Sequence, residues 1–385
     1  MEQNYGKETR KMEAISEEQD VEINFPEGTF HIPAGITNQT KTKEKVEMEK
    51  KPMLIFHITT TDPAGAGYNM IRALNQYTPH MVRMVNLVPN VYHHPSDIGD
   101  IHDYGDEIEQ LLFDADVIHL HKIKEDFEIE IASSRHRKWK VSDFLNIRGK
   151  KKKIVYHVHG HPYERANAKE NAEEYKKRDA LVLCSTPDLQ GLYAPHCNAM
   201  YFPNCVPIWH PSYLPRATNK PLKDKEGKER YIVSHTVSNR DLKNCKMIEE
   251  AVVWVNKTKP VNLLEIANVP HKLALTQRRL GHITFDHMQG YYGLASLEAL
   301  SMGKPTIAGL NDHCIRSIID FFKLPGDILP WQRPRDQRAL NECLMDLVAN
   351  IDVSMYQGKL GREFMEKYWS DENIAKRLSG IYESL

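Results

Sequence analysis

From residue 53 onward, apolar and polar positions fall into a repeating pattern of short buried strands and amphipathic helices. MLIFHIT, starting at Met53, is an apolar run of buried-strand type. After the loop TTDPAGAG, Met70, Ile71, Leu74 and Tyr77 share one helical face. Ile108, Leu111 and Leu112 mark a second helix, DADVIHLHK a second strand, and a charged segment through Lys153 leads to the strand KIVYHVHGHP. DALVLCSTPDLQGLY reads as strand then helix, with Ser185 or Thr186 as cap and Pro187 in the first turn. AMYFPNCVP follows as a strand and turn. Residues 210–230 are rich in Pro, Lys and Asp and lack any period, as a linker does. Beyond them, YIVSHTVSNRDLKNCKMIEEAV predicts a strand, a polar loop and a helix, VNLLEIAN a strand and HKLALTQRR a helix. HITFDHMQGYYGLASLEALSMGKPTIAGL then predicts a strand, a break at Gly290 and Gly293, a helix through Leu294, Leu297 and Leu300, a stop at Gly303 and a further strand. Leu340, Cys343, Leu344 and Leu347 mark one late helix, and Ile374, Leu378, Ile381 and Leu385 the terminal one. Strands alternating with helices predict an α/β chain with parallel sheets, whose ligands sit at the carboxyl ends of the strands.

Residues 1–50 break this pattern. They are rich in Glu and Lys and read as a disordered arm, except where Val21, Ile23 and Phe25 alternate and a Pro-Glu-Gly turn leads to Phe30 and Ile32, which predicts a small hairpin. The 385 residues, 41% of them hydrophobic, are enough for two domains with their own cores. A net charge of −1 argues against general attraction to nucleic acid. No apolar run reaches the length of a membrane span and the N-terminus is charged rather than signal-like, so a soluble cytoplasmic protein is expected, with peripheral membrane contact left open. The six cysteines contain no C-x-x-C pair and read as reduced thiols rather than a zinc site.

Candidate chemistry enters at four places. Gly65 and Gly67 precede the first helix and form either a phosphate- or sugar-cradling loop or a tight turn. His157, His159 and His161 alternate along a strand, which suggests a metal site if the strand stays regular; Gly160 and Pro162 end it and turn His161 away, so no metal site is expected. Arg240 and Lys243 lie in the polar loop after the linker, as surface cations or as phosphate ligands. Gly293 opens a helix whose free N–H groups attract anions, and Glu298 lies in the first turns of that helix.

The stretch Tyr292, Gly293, Leu294, Glu298, Gly303, Lys304 and Pro305 resembles the donor-site signature of the retaining glycosyltransferases of family 4. The resemblance runs from Met53 to the C-terminus and implies the GT-B architecture, two Rossmann-like domains facing across a cleft. Residues 51–209 are then the acceptor-side domain, 210–230 the linker, 231–360 the nucleotide-sugar domain, and 361–385 a terminal helix crossing back. It implies Glu298 on the donor ribose, and Arg240, Lys243 and the amides near Gly293 and Leu294 on the diphosphate. It also places the Gly65–Gly67 loop toward phosphates and acceptor, and His159 beside the sugar. The family's first glutamate is replaced by Gly290, and Asp286 and Gln289 stand in as sugar contacts. The implied activity is transfer of a sugar from a UDP-, GDP- or ADP-sugar to a hydroxyl of a glycan, a lipid-linked or a small-molecule acceptor, with retention and without metal or other cofactor. A catalytically silent nucleotide-sugar-binding scaffold and a nucleotide-sugar epimerase are the alternatives. A nucleic-acid-modifying transferase would need a basic acceptor face, and the run from Arg148 to Lys153 reads instead as a solvated loop.

Overall fold

The computed structural model describes residues 21–25, 28–32, 51–62, 64–90, 92–99, 103–123, 128–130, 138–147, 150–215, 222–223, 227 and 229–385. The chain divides into two units, Met1–Lys50 and Lys51–Leu385. In the first, strand β1 (Val21–Phe25) pairs antiparallel with β2 (Gly28–Ile32), Val21 opposite Ile32 and Phe25 opposite Gly28, which is the hairpin the alternation predicts. The rest of the expected disordered arm lies outside the described residues.

The second unit holds two mainly parallel sheets. The first contains β3 (Leu54–Thr59), β4 (Met81–Asn86), β5 (Val117–His121), β6 (Lys153–Val158), β7 (Leu181–Cys184) and β8 (Ala199–Tyr201) in the order β8-β7-β6-β5-β3-β4. Its strands read as near-continuous apolar runs because helices cover both faces. The second places β10 (Val261–Ala267) beside β9 (Glu229–Val237), then β11 (Ile283–Phe285) and β12 (Thr306–Ile307), all parallel. Residues 222–223, inside the expected linker, pair antiparallel with the start of β9. In each sheet the first strand, β3 or β9, has the second strand on one side and the third on the other. The connections therefore diverge there, and their loops leave a crevice at the carboxyl ends.

The helices follow the apolar period. Helix α1 (Ala66–Tyr77) buries Met70, Ile71 and Leu74, and α2 (Gly105–Asp114) buries Ile108, Leu111 and Leu112. Next come α3 (Pro162–Ala166), α4 (Ala168–Lys177) and α5 (Pro187–Tyr193). Thr186 is the cap residue of α5, yet its side chain makes no cap bond and its hydroxyl stays buried and unpartnered. The second sheet carries α6 (Cys245–Val255), α7 (His271–Leu280), α8 (Leu294–Ser301), α9 (Asp312–Phe322) and α10 (Gln337–Ala349). The last helical stretch is two helices, α11 (Ile351–Lys367) and α12 (Asp371–Ser384), separated at Ser370, whose hydroxyl caps α12. Helix α12 packs on α1 and the first sheet: His80 bonds Ser379 at 2.9 Å and His119 bonds Tyr382 at 2.6 Å. Among the described residues, no helix is long and apolar enough to cross a membrane.

One apolar core joins the sheets. It runs from Ile55, Val117 and Val155 under α1 and α12, through Trp369, to Leu297 and Leu300 of α8. Within it the Tyr201 and Tyr292 hydroxyls meet at 2.6 Å.

Candidate functional site

A cavity of about 250 Å³ opens at the carboxyl ends of β9 and β10. The second sheet contributes Thr236, Lys243, Asn268, Leu294 and Glu298, while Ala64, Tyr92 and His94 of the first sheet's loops form the opposite wall. This is the crevice that the strand order predicts.

Two buried charge clusters lie beside it, the first reaching it through Lys243 and the second through Glu298, Arg278 and His271. In the first, Asp286 at the end of β11 is 1% exposed and accepts from Lys243 Nζ at 2.7 Å, from Ser296 Oγ at 2.7 Å and from the backbone N–H of Gly293. Burial alone would raise its carboxyl; His287, Lys243 and the Ser296 hydroxyl reverse that and hold it below the usual carboxylate range. Burial pushes His287 itself down to about 4, so near neutral pH Lys243 is the lasting positive charge in this cluster. Gly293 has an extended backbone, φ −101°, so space, not φ, is what requires glycine here. A Cβ would sit 3.0 Å from Asp286 Oδ1 and 3.1 Å from Lys243 Nζ. The cluster thus seats a cation and the start of α8 at one edge of the cavity.

In the second cluster, Glu298 is 4% exposed and binds Arg278 through one oxygen and His271 Nε2, at 2.7 Å, through the other. Arg278 also donates to Thr236 Oγ1 at 2.8 Å. Burial would raise the Glu298 carboxyl, but Arg278 first and His271 second bring it down to about 2. The His271 ring stacks on His94 at 4.0 Å, closing this end of the cavity from the first sheet's side. Neither Arg278 nor His271 was singled out from the sequence. They are seven residues apart, two helical turns, and so share one face of α7; that spacing was the available signal.

The remaining sequence candidates fall in different places. Gly65, at φ +66°, starts α1 and brings Ala64 to the cavity; a Cβ there would lie 2.2 Å from His94 Nδ1. Gly67 turns inward, where a Cβ would meet Met84 Sδ at 3.0 Å, so it serves packing. The loop is held by Asp62, buried and bonded to the N–H of Tyr68 at 2.9 Å. Burial raises the Asp62 carboxyl against the opposing pull of these backbone N–H groups. Arg240 is not among the residues that line the cavity: it is exposed and paired with Glu249 and Glu265. Gln289 is exposed and reaches Asn244 Oδ1 at 3.3 Å. As the chain stands, Asp286 has its oxygens committed and faces no open space, so it organises the Gly293 turn rather than lining the cavity.

Gly290, in the place of the family's first glutamate, has φ +88°, its oxygen accepts from the Asn311 N–H at 2.9 Å, and a Cβ would lie 2.7 Å from Asn311 Nδ2. Glycine here is set by the backbone. Gly290→Ala is expected to cost about 1–3 kcal/mol, and Gly290→Glu at least as much, measured as the shift in urea midpoint at constant slope; an unchanged midpoint would mean that the turn relaxes freely.

His159 is part of a larger group. Its Nε2 meets His121 Nδ1 at 2.8 Å, and its own N–H is accepted by Glu164 at 3.1 Å. His157 joins the group, whereas His161 turns away to begin α3, its Nδ1 accepting from Tyr163. His57, His119 and His121 complete the group from β3 and β5.

No known sequence family matches the chain, and no curated protein matches it. Solved structures do. An alpha-glucosyltransferase in complex with UDP and a 13-mer DNA superposes with a TM-score of 0.55 at 10% identity, over 87% of this chain and 100% of that one. WaaG, a glycosyltransferase involved in lipopolysaccharide biosynthesis, gives 0.50 at 11% identity, over 85% and 99%. TarM of S. aureus, in complex with UDP among other ligands, gives 0.45 at 15% identity over 69% of this chain, which spans about half (55%) of its length. The fold of this chain is the GT-B fold of nucleotide-sugar glycosyltransferases, two parallel α/β sheets with a crevice between their loops.

Proposed function

We propose that the chain is a glycosyltransferase that moves a sugar from a nucleoside diphosphate sugar to an acceptor hydroxyl with retention of configuration. The observation that carries this is the cavity itself. Lys243, residues Leu294 and Ala295 at the start of α8, and Glu298 with its partners His271 and Arg278 all line this cavity beyond the strand ends, as a diphosphate and its ribose would require. The UDP complex of the similarly folded alpha-glucosyltransferase supports the same class of donor.

The diphosphate lies against Lys243 and the start of α8, where charge developing on the departing phosphate meets groups already in position. These groups supply the neutralisation, so the donor step calls for no metal. Arg240, turned to Glu249 and Glu265, plays no part in it. The ribose hydroxyls meet Glu298 and His271 together. The acceptor enters from the first sheet's side, past Ala64 and the Gly65 turn. Residues 51–209 and 231–360 act as the two domains and 361–385 ties them together, which allows closure to exclude water.

One observation favours a second reading, a nucleotide-sugar-binding scaffold: neither Asp286 nor Gln289 faces the cavity, and Gly290 replaces the glutamate expected to touch the sugar. Calorimetry of the purified protein against UDP, GDP, ADP and their sugars tests both. Selective binding of one diphosphate, followed by appearance of the sugar on an acceptor, is the expected result. Binding without transfer to any acceptor selects the scaffold, and no binding by folded protein removes the donor site altogether.

A further inference from the structure

The histidine group lies outside the donor cavity and has no part in the reading above. Strand register assembles it. His57 of β3 pairs with His119 of β5, and His121 of β5 pairs with His157 of β6. Residues two apart on a strand share a face, so His119 and His121 stack directly, and His159 follows His157 on the same side. The opposite face of these strands is wholly apolar, with Phe56, Ile58, Ile118, Leu120, Tyr156 and Val158. His57, His119, His121 and His157 are each 2% exposed or less. Burial drives all five imidazoles toward the neutral form.

We propose that this ladder binds one divalent transition-metal ion of the zinc type, held by His57, His119 and His121 with His157 as the fourth ligand. The three can each present a ring nitrogen within 4.8 Å of the other two. His57 Nδ1 and His121 Nε2 lie 2.9 Å apart, and His119 Nε2 and His157 Nδ1 lie 3.3 Å apart. Metal–nitrogen bonds of about 2.0–2.1 Å in a tetrahedron separate ligand nitrogens by about 3.3–3.4 Å. Binding therefore needs only a small spreading of the first pair and a tilt of the His119 and His121 rings, now parallel at 4.5 Å. An all-imidazole donor set suits zinc, cobalt, nickel or copper over calcium or magnesium.

The outer nitrogens of His57, His119 and His121 are already provided for. Tyr382 Oη lies 2.6 Å from His119 Nδ1 and 3.1 Å from His57 Nε2, so it can accept from both once their other nitrogens ligate. His159 Nε2, 2.8 Å from His121 Nδ1, does the same for His121. Such outer acceptors fix the tautomer and orientation of ligating imidazoles. Because Tyr382 belongs to α12, the ion would fasten that helix to the three central strands of the first sheet.

The test is elemental analysis of untagged protein, followed by chelator treatment and titration with Zn²⁺ by calorimetry and with Co²⁺ by visible absorption. One ion per chain and an intense tetrahedral cobalt band are expected. His121→Gln should abolish both, Tyr382→Phe should weaken binding by about 10–100-fold while keeping every ligand, and His161→Gln should change nothing. If His121→Gln does not fold, Tyr382→Phe decides in its place. Wild-type protein that is folded yet takes up neither ion overturns the proposal and leaves the ladder as a hydrogen-bonded chain of neutral imidazoles. Uptake unaffected by both the His121 and Tyr382 changes overturns it as well, by placing the ion elsewhere.

Discussion

Glu298→Ala is expected to lower the stability of the Lys51–Leu385 unit by about 3–5 kcal/mol, whether or not a nucleotide ever binds. Arg278 is 1% exposed and its guanidinium bonds Glu298 and Thr236. Removing the carboxylate strands a buried cation, which costs far more than the pair contributes when intact. The same pair sets an acid limit. The Glu298 carboxyl sits at about 2 in the folded chain against 4.5 for the free side chain. The folded state therefore binds this proton less readily, and the stabilisation is complete above pH 4.5 and lost as pH falls toward 2. The difference corresponds to about 3 kcal/mol. Urea midpoints measured at steps from pH 7 to pH 2 should fall for the wild type between 4.5 and 2, and the Glu298→Gln variant, already weaker at pH 7, should lack this component of the fall. A Glu298→Ala protein as stable as the wild type at pH 7 would show that Arg278 finds water or another partner. For binding studies the milder Glu298→Gln is the informative change, since it keeps an acceptor for both Arg278 and the ribose.

The fold was legible because each strand buried on both faces is a short apolar run and each helix covering it has an apolar stripe. Those are local patterns, and α1 and α2 follow them closely, whereas α8 is buried all round from Ser296 to Ser301. The candidate site was legible only in part. Lys243, Leu294 and Glu298 do come together at the cavity, with Gly293 packed against Lys243 beside it, because a loop and the first turns of α8 are fixed there by consecutive strand–helix units. Arg240 does not, because Glu249, nine residues along, and Glu265 on β10 offer it partners that its own segment could not reveal. Gly290 looked like a missing carboxylate and is a backbone requirement, imposed by Asn311 twenty-one residues later. The histidine ladder was half visible. The alternation in KIVYHVHGHP showed His157 and His159, but only sheet order places β3 and β5 beside β6 and so adds His57, His119 and His121.

Lys243→Met should separate what holds the donor loop from what binds the donor. Asp286 is fully buried and Lys243 is the cation it faces, so this change alone leaves a carboxylate without its counter-charge and should cost about 3–5 kcal/mol. Combining it with Asp286→Asn removes the stranded charge. The asparagine oxygen can still accept from the Gly293 N–H and the Ser296 hydroxyl, which hold the start of α8. Two residues in direct contact are not additive, and the double variant should recover much of the lost stability. Its affinity for a nucleoside diphosphate should nevertheless stay at least tenfold below that of the wild type, since a charge-assisted contact to phosphate has gone. Urea unfolding and calorimetry on the wild type, the two single variants Lys243→Met and Asp286→Asn, and the double variant give both quantities. Recovered stability with binding still lost assigns Lys243 to the phosphates. Recovery of both would make Lys243 the counter-charge of Asp286 alone, and the anion site would then rest on the amides of α8.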